Sequence, residues 1–347
     1  MTSPASVAGK GKLRVGIIGV GRLGRVYARD IASRIPRATL AAVADTNAAV
    51  AQEVAEEWGV PRWYSEPDAL LADKDVDAIV IVSNTHTHRP LAIAALATGK
   101  PTFCEKPPAL SLAETSEIEK EVQRTGTFFQ MGFMRRFDTG YAAARRQVQE
   151  GVVGVPVVFK SSSRDPKRTS LEYADPKSSG GMIIDMGIHD FDLARWFMGE
   201  VETVTAVGGT LAYPELKTVG DIDNAIVSLV FADGKLGVVD LSRNGIYGYD
   251  ITTELLGTQG TLRIGYLRET PLLVMTANNV AHDTVPYFME RFAGAYTAQL
   301  TDFVENVRQG RPAPVTIRDG MEAMRIAVAA TRACASGQPV KVASVKE

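Results

Sequence analysis

The sequence predicts a two-part α/β protein: an N-terminal doubly wound domain, then an α+β domain carrying a large, mostly antiparallel open sheet. Three observations predict it. Short β-branched runs alternate with helical patterns through about residue 131. A glycine-rich turn, Gly19-Val20-Gly21-Arg22-Leu23-Gly24, separates the first run from the first helical pattern. Beyond Val201, strand-like runs follow one another with few helices between them. A length of 347 residues suits two domains, read here as 12–131 and 132–347.

Each element has a local cause. Leu13–Ile18 is a short strand, and 25–34 is the first helix. Leu40–Ala44 is a second buried strand, closed by Asp45, and Ala48–Trp58 is a helix ended by Gly59 and Pro61. Asp77–Val82 is apolar after its first residue, as in a parallel sheet covered on both faces. Pro90–Thr98 reads as a helix stopping at Gly99. Thr102–Cys104 is a fourth strand, Leu112–Arg124 a helix and Phe128–Met131 a further strand. In the second part, 138–150 and 183–197 each read as one amphipathic helix. Strands are expected at Val204–Gly208, Ala225–Phe231, Leu236–Leu241, Thr252–Leu256 and Thr261–Ile264. Ala232-Asp233-Gly234-Lys235 is a hairpin signal, and Thr258-Gln259-Gly260 resembles a second turn. Ala295–Arg308 and Met321–Ser336 close the chain as helices.

Bulk properties exclude several classes. With 45% hydrophobic and 22% charged residues, the chain reads as a globular protein of the cytoplasm rather than a membrane protein. Its apolar runs fall short of the ~20 residues a bilayer requires. A net charge of -2 gives no footprint for nucleic acid. Met1–Lys12 lacks the apolar core of a signal peptide. Cys104 and Cys334 are too few and too distant for a disulfide framework, which fits a reducing compartment. His86 and His88 stand two apart, but no Cys or carboxylate at ligand spacing accompanies them, so no metal is expected.

Three motifs carry chemistry. In the G-x-G-x-x-G turn, Gly19 allows a tight bend and Gly21 lets backbone approach a pyrophosphate. Gly24 packs helix against strand, and the helix N-terminus faces the phosphates. Alone, the pattern also fits an ordinary strand-to-helix turn. Asp45 strengthens it, falling 21 residues beyond Gly24 at a strand end, where a carboxylate accepts hydrogen bonds from an adenosine ribose. A 2′-phosphate is repelled there, and Thr46 and Asn47 follow rather than the Arg that welcomes one. NAD is therefore favoured over NADP, tempered only by Arg22 in the loop.

Cys104-Glu105-Lys106-Pro107-Pro108 follows the fourth strand, and ligands of doubly wound folds bind outside the carboxyl ends of strands. Lys106 there is suited to hydrogen-bond a substrate oxygen and stabilise alkoxide character. A solvated surface Lys is the plainer reading of the same residue. Pro107 and Pro108 stiffen its turn, and the Lys106–Pro107 bond is a candidate for cis. Further on, Gly180-Gly181 leads into Asp185-x-x-x-His189-x-x-Asp192. On a helix this spacing stacks two carboxylates and an imidazole on one face. His is the side chain best suited to move a proton near neutral pH, and a carboxylate beside it fixes its tautomer. A buried His satisfied by a helical neighbour is the structural alternative.

Taken together, the glycine loop, Glu105-Lys106-Pro107 and the Asp185–Asp192 segment resemble the Gfo/Idh/MocA superfamily of glucose-fructose oxidoreductase, inositol dehydrogenase and rhizopine-catabolism proteins. The resemblance runs from about Leu13 to Val342. It implies a Rossmann domain and a second domain whose open sheet often mediates oligomers, so a homo-oligomer, tetramer or dimer, is expected. It implies Lys106, Asp185 and His189 as catalytic residues. The loop Ser83-Asn84-Thr85-His86-Thr87-His88 resembles the family's nicotinamide-side loop, His88 matching the recurrent His. The cofactor set is then Gly19, Gly21, Arg22, Leu23, Gly24, Asp45, Ser83, Asn84, His88 and Glu105.

Within the superfamily, Gly132–Asp138, Arg164-Asp165-Pro166, Tyr247-Gly248-Tyr249-Asp250 and Glu290-Arg291-Phe292 resemble the inositol 2-dehydrogenase branch. Position for position, this implies Arg135, Asp165 and Tyr247 as substrate contacts. Each has a plain alternative: a helix-start charge pair, a turn cap and a sheet-packing ring. Ser161–Arg164 is serine-rich where some inositol dehydrogenases carry a His. The expected activity is NAD-linked oxidation of a cyclitol hydroxyl, with His189 accepting its proton. The other readings are a pyranose or glycoside dehydrogenase of the same superfamily, or an NAD-binding sensor. A sensor need not keep Lys106, Asp185 and His189, and all three are present.

Overall fold

Leu13–Ile18 (β1) is apolar except at Arg14 and lies inside a six-stranded sheet whose neighbours all pair in parallel. The other strands are Ala38–Ala44 (β2), Trp63–Tyr64 (β3), Ala78–Ile81 (β4), Thr102–Glu105 (β5) and Phe129–Gly132 (β6). Their order is β3-β2-β1-β4-β5-β6, the doubly wound arrangement the sequence predicts. β4 is buried at every position, as strands covered on both faces require. Helix Ala48–Trp58 stops at Gly59, which takes φ 63°. The helix over Pro90 begins earlier than its sequence suggests, at Thr85. The structure is a computed structural model describing residues 11–346, so the segment read as lacking a signal peptide lies almost wholly outside the described residues.

By compactness the chain forms two units, residues 11–134 with 294–321 and residues 135–293 with 322–346. The sequence alone divides the chain once, at 131/132. The segment 294–321 joins the first unit because helix Ala293–Gln309 turns aromatic residues onto it. Tyr296 meets Tyr27 edge-on at 5.9 Å between centroids, and Phe303 meets Phe103 at 5.8 Å.

The second unit holds a seven-stranded sheet. Its members are Pro156–Arg164 (β7), Val201–Gly209 (β8), Asn224–Phe231 (β9), Leu236–Ser242 (β10), Asp250–Gly257 (β11) and Thr261–Ile264 (β12). Val274–Met275 (β13) and Val280–Ala281 (β14) form a separate hairpin, and Val340–Lys341 (β15) is the sheet's last member. The order is β12-β11-β7-β10-β9-β8-β15. The sheet is mostly antiparallel, as expected, but mixed: β7 and β10 pair in parallel at its centre, while the remaining neighbours are antiparallel. A parallel pair needs a long crossover, supplied here by the chain from 165 to 235. The sequence does not mark β7 as a strand, because its inward positions include Ser161 and Ser163 rather than apolar residues. One face of the sheet is covered. The other leaves Val207, Ile226, Val230, Leu236 and Leu256 exposed.

A correction concerns 183–197, which is not one helix. Met182–Asp185 and Ile188–Met198 are separate, and the ladder breaks at Met186–Gly187. Gly187 is tightly enclosed: a Cβ there would lie 2.5 Å from the Ile183 carbonyl oxygen and 2.9 Å from the Phe191 ring.

Candidate active site

In the first unit the chemistry rests on backbone. Gly19 has φ 90°, and a Cβ there would lie 2.7 Å from backbone atoms of Ser83. A Cβ on Gly24 would strike the Gly19 carbonyl oxygen, so only glycine lets helix Arg22–Ser33 start this close to β1. Gly21 has nothing within 4 Å of where its Cβ would sit. The N-terminal amides of the helix thus border open space, with exposed Arg22 and half-buried Leu23 beside it. Asp45 closes β2 and accepts from the Val20 and Asn47 amides, both at 2.9 Å. Each carboxylate oxygen keeps a further lone pair. An open cradle at the middle glycine and a carboxylate fixed in direction fit a dinucleotide with free ribose hydroxyls.

The carboxyl ends of β4 and β5 carry the remaining residues. The Lys106–Pro107 bond is cis, and Lys106 is half-buried. His88 is buried, its Nδ1 2.7 Å from the Pro107 carbonyl and its Nε2 3.0 Å from the Ser83 carbonyl. Burial pushes its pKa down, against the pull of those two carbonyls. His88 therefore ties the Ser83 loop to the Lys106 loop. Ser83 Oγ meets Thr87 Oγ1 at 2.6 Å, and exposed Asn84 accepts the Thr87 amide at 2.9 Å. Glu105 faces inward. It accepts from the Tyr27 hydroxyl, from Gln299 Nε2 at 3.3 Å and from the Lys106 amide at 3.1 Å. Burial raises its pKa.

In the second unit the chemistry rests on ionised side chains. Gly180 and Gly181, at φ 86° and 84°, turn the chain into Met182, whose amide donates to Asp221 Oδ1 at 2.9 Å. Asp185, three residues on, and His189, four further, lie either side of the Gly187 break, 9% and 7% exposed. Asp185 Oδ1 accepts from the Tyr173 hydroxyl at 3.0 Å, and its Oδ2 accepts from Arg243 Nη2 at 3.2 Å. Arg243, just past β10, is 1% exposed. Burial works against its charge, but Asp185, Asp165, Asp221 and Tyr173 outweigh burial and raise its pKa. Asp165 is thus part of this cluster. Tyr249, buried beside Asp165 and Arg135, has its pKa raised first by burial and then by Asp165.

The other sequence-predicted residues take different places. Arg135 is 3% exposed and donates to Asp190 Oδ1 at 2.8 Å and to Ser163 Oγ at 3.1 Å. Asp192 accepts from Arg136 Nε at 2.8 Å and Nη2 at 2.5 Å, a bidentate pair that anchors the helix. Tyr247 is 42% exposed, accepts from Arg164 Nη1 at 3.1 Å and donates to Asp250 at 2.9 Å. Sequence reasoning missed Arg243, Tyr173, Asp221 and Tyr249. Only Tyr249, inside the quoted Tyr247–Asp250 segment, carried a signal. Among the described residues no group of His, Cys, Asp or Glu could hold a metal.

A glycine turn and a fixed carboxylate that fit a dinucleotide, in a chain that also buries Asp185 and His189 beside a helix break, point to an NAD-binding oxidoreductase. The comparisons with known proteins give the family. Residues 13–133 match the NAD-binding Rossmann fold of the Gfo/Idh/MocA oxidoreductase family, and residues 145–342 match its C-terminal alpha/beta domain. The chain belongs to that family. It is 38% identical to the scyllo-inositol 2-dehydrogenase (NAD(+)) of Bacillus subtilis, covering 95% of this chain and 96% of that protein. It is 37% identical to the myo-inositol 2-dehydrogenase of Thermotoga maritima, covering 96% and 99%. A solved scyllo-inositol dehydrogenase from Lactobacillus casei, with bound NAD(H) and scyllo-inositol, superposes with a TM-score of 0.92 at 32% identity, covering 96% and 100%.

Proposed function

We propose that this protein oxidises one secondary hydroxyl of a cyclitol, scyllo- or myo-inositol, to the inosose, with NAD⁺ as its cofactor. The observation that carries the reading is the buried Asp185–His189 turn, held by Arg243 and Tyr173, in a chain that matches inositol dehydrogenases along nearly its whole length.

The residues divide the work. Amides at Gly19–Gly24, with Arg22 and Leu23, hold a pyrophosphate, and Asp45 takes the ribose hydroxyls and repels a 2′-phosphate. Ser83, Asn84 and His88 shape the nicotinamide side, and Glu105 supports it from beneath β5. When bound, NAD⁺ supplies the acceptor for the hydride that leaves the alcohol carbon. His189 takes the hydroxyl proton as the carbonyl forms. Lys106 Nζ donates a hydrogen bond to the reacting oxygen. Asp185 fixes the tautomer of His189. Asp165 and Tyr249 take ring hydroxyls, while Arg135 and Tyr247 hold the segments around them through Asp190, Arg164 and Asp250.

The open sheet face, with Val207, Ile226, Val230, Leu236 and Leu256 exposed, is assigned to contact between copies in a dimer or tetramer, placed in the cytoplasm. Among the described residues no helix is long and apolar enough to cross a membrane.

The test is NAD⁺ and, separately, NADP⁺ reduction over a panel of scyllo-, myo- and D-chiro-inositol, glucose, galactose and xylose. NAD-linked turnover on an inositol is expected. Turnover on a pyranose alone moves the substrate to sugars, and tight NAD binding with no turnover favours a sensor.

A further inference from the structure

Arg243 is among the largest side chains buried almost completely, and no element of the reaction just described uses it directly. A buried guanidinium is costly unless it is paired. Among the described residues it forms an ion pair with Asp185, at 3.2 Å. Two further carboxylates, Asp165 just past β7 and Asp221 in the chain before β9, act on its charge, as does Tyr173. Asp221 is itself tied to the start of the motif through the Met182 amide. Arg243 Nε and Asp221 Oδ2 are both buried and have no protein partner among the described residues, so neither is held by any competing contact. The cluster thus sets one buried cation among three carboxylates, paired with Asp185 among the described residues.

We propose that Arg243 is a positioning residue for the reaction: it turns Asp185 and keeps it ionised, and Asp221 sets how much of its charge reaches the Asp185–His189 pair. The inference deepens the dehydrogenase reading and rests on it for the role of His189. Within this unit Tyr173 and Arg243 meet Asp185 directly, and Asp165 and Asp221 act on Arg243, so the sign of each charge change is defined. Removing a cation raises the pKa of every nearby acid. Removing an anion lowers it.

The test reads His189 directly by NMR titration of its imidazole, assigned with His189→Asn, alongside kcat, KM and the pH profile. Arg243→Met is expected to raise the His189 pKa by about half a unit or more, as loss of a nearby partly buried charge does. It is also expected to cut kcat about 30-fold or more, as loss of a base's support does, with NAD affinity changed less than about twofold. Arg243→Lys keeps the charge and restores the His189 pKa. Asp221→Asn keeps an acceptor for the Met182 amide and moves the pKa the opposite way, downwards. It serves even if Arg243→Met fails to fold. Unmoved His189 titration in Arg243→Met, or in Asp221→Asn when Arg243→Met does not fold, overturns the proposal, as does equal loss of kcat in Arg243→Met and Arg243→Lys. The titration needs no turnover, so a wild-type protein inactive on every polyol overturns the dehydrogenase reading alone.

Discussion

Gly19, Gly21 and Gly24 act through the absence of a side chain, whereas Asp185 depends on side chains brought to it by two other segments. On the proposed reading, function in the nucleotide half lies in backbone amides, one left-handed glycine and a carboxylate fixed by its own neighbours. In the acid–base half, the proposal places it in Arg243, Tyr173 and Asp221, up to 58 residues from the acid in the ion pair. The difference teaches that the two halves fail differently. A backbone cradle fails by steric exclusion and loses the cofactor. A charge cluster fails by a change in ionisation and loses the reaction while the cofactor still binds.

The strongest way to break that comparison is at the acid–base half. His189→Ala and Lys106→Ala are each expected to lower kcat by about 10²–10⁴-fold, the usual contribution of a positioned proton acceptor or donor. NAD affinity by titration calorimetry stays within about threefold if the halves are separable as described. A matching loss of NAD binding would break the division.

Next in size is Arg135→Met. It leaves Asp190 buried without its cation, between Ser161 and Ser163. A loss of about 3–5 kcal/mol is expected in urea unfolding, since the remaining charge is uncompensated. A change below about 1 kcal/mol, typical of surface pairs, would show that Arg135 is free to meet substrate instead.

Gly19→Ala sharpens the nucleotide half. The φ of 90° and the 2.7 Å approach to Ser83 predict NAD affinity about 10–100-fold weaker, with turnover at saturating NAD⁺ reduced less. Asp45→Ala should cost about tenfold in NAD affinity, about the value of a charged hydrogen bond, and narrow the preference over NADP⁺ in the same reduction assay.

The smallest expected effect is a pH dependence at Glu105. Its folded-state pKa is raised by burial, so it favours the folded state below the ordinary carboxylate range, and that contribution is lost as pH rises through the raised value. Glu105→Gln should therefore gain melting temperature relative to wild type as pH is raised above about 4.5. A difference independent of pH would mean that its contacts with Tyr27 and Gln299 dominate.

Much of this was legible in the chain. The alternation of strands and helices in the doubly wound domain, the glycine-rich turn, Asp45 at a strand end and the cis candidate at Lys106–Pro107 follow from residues close in sequence, and the structure shows them in place. The mixed centre of the second sheet was not legible. β7 hides its inward face behind serines whose purpose is visible only once Asp190 lies against them. The break at Gly187 was hidden by a spacing that satisfies a continuous helix. His88 and Glu105 were read as cofactor contacts. Their immediate partners are protein: two loop carbonyls for one, Tyr27 and Gln299 for the other.

The sequence by itself determined what local physics can encode: where strands alternate with helices, where only glycine fits, and which residue types can move a proton. Tertiary structure alone decided which arginine answers which carboxylate. Arg135 went to Asp190, Arg136 to Asp192 and Arg243 to Asp185. Nothing in the spacing distinguishes these acids. A charge becomes functional or structural according to what else is buried beside it, and that is settled only when distant strands close over the same small volume.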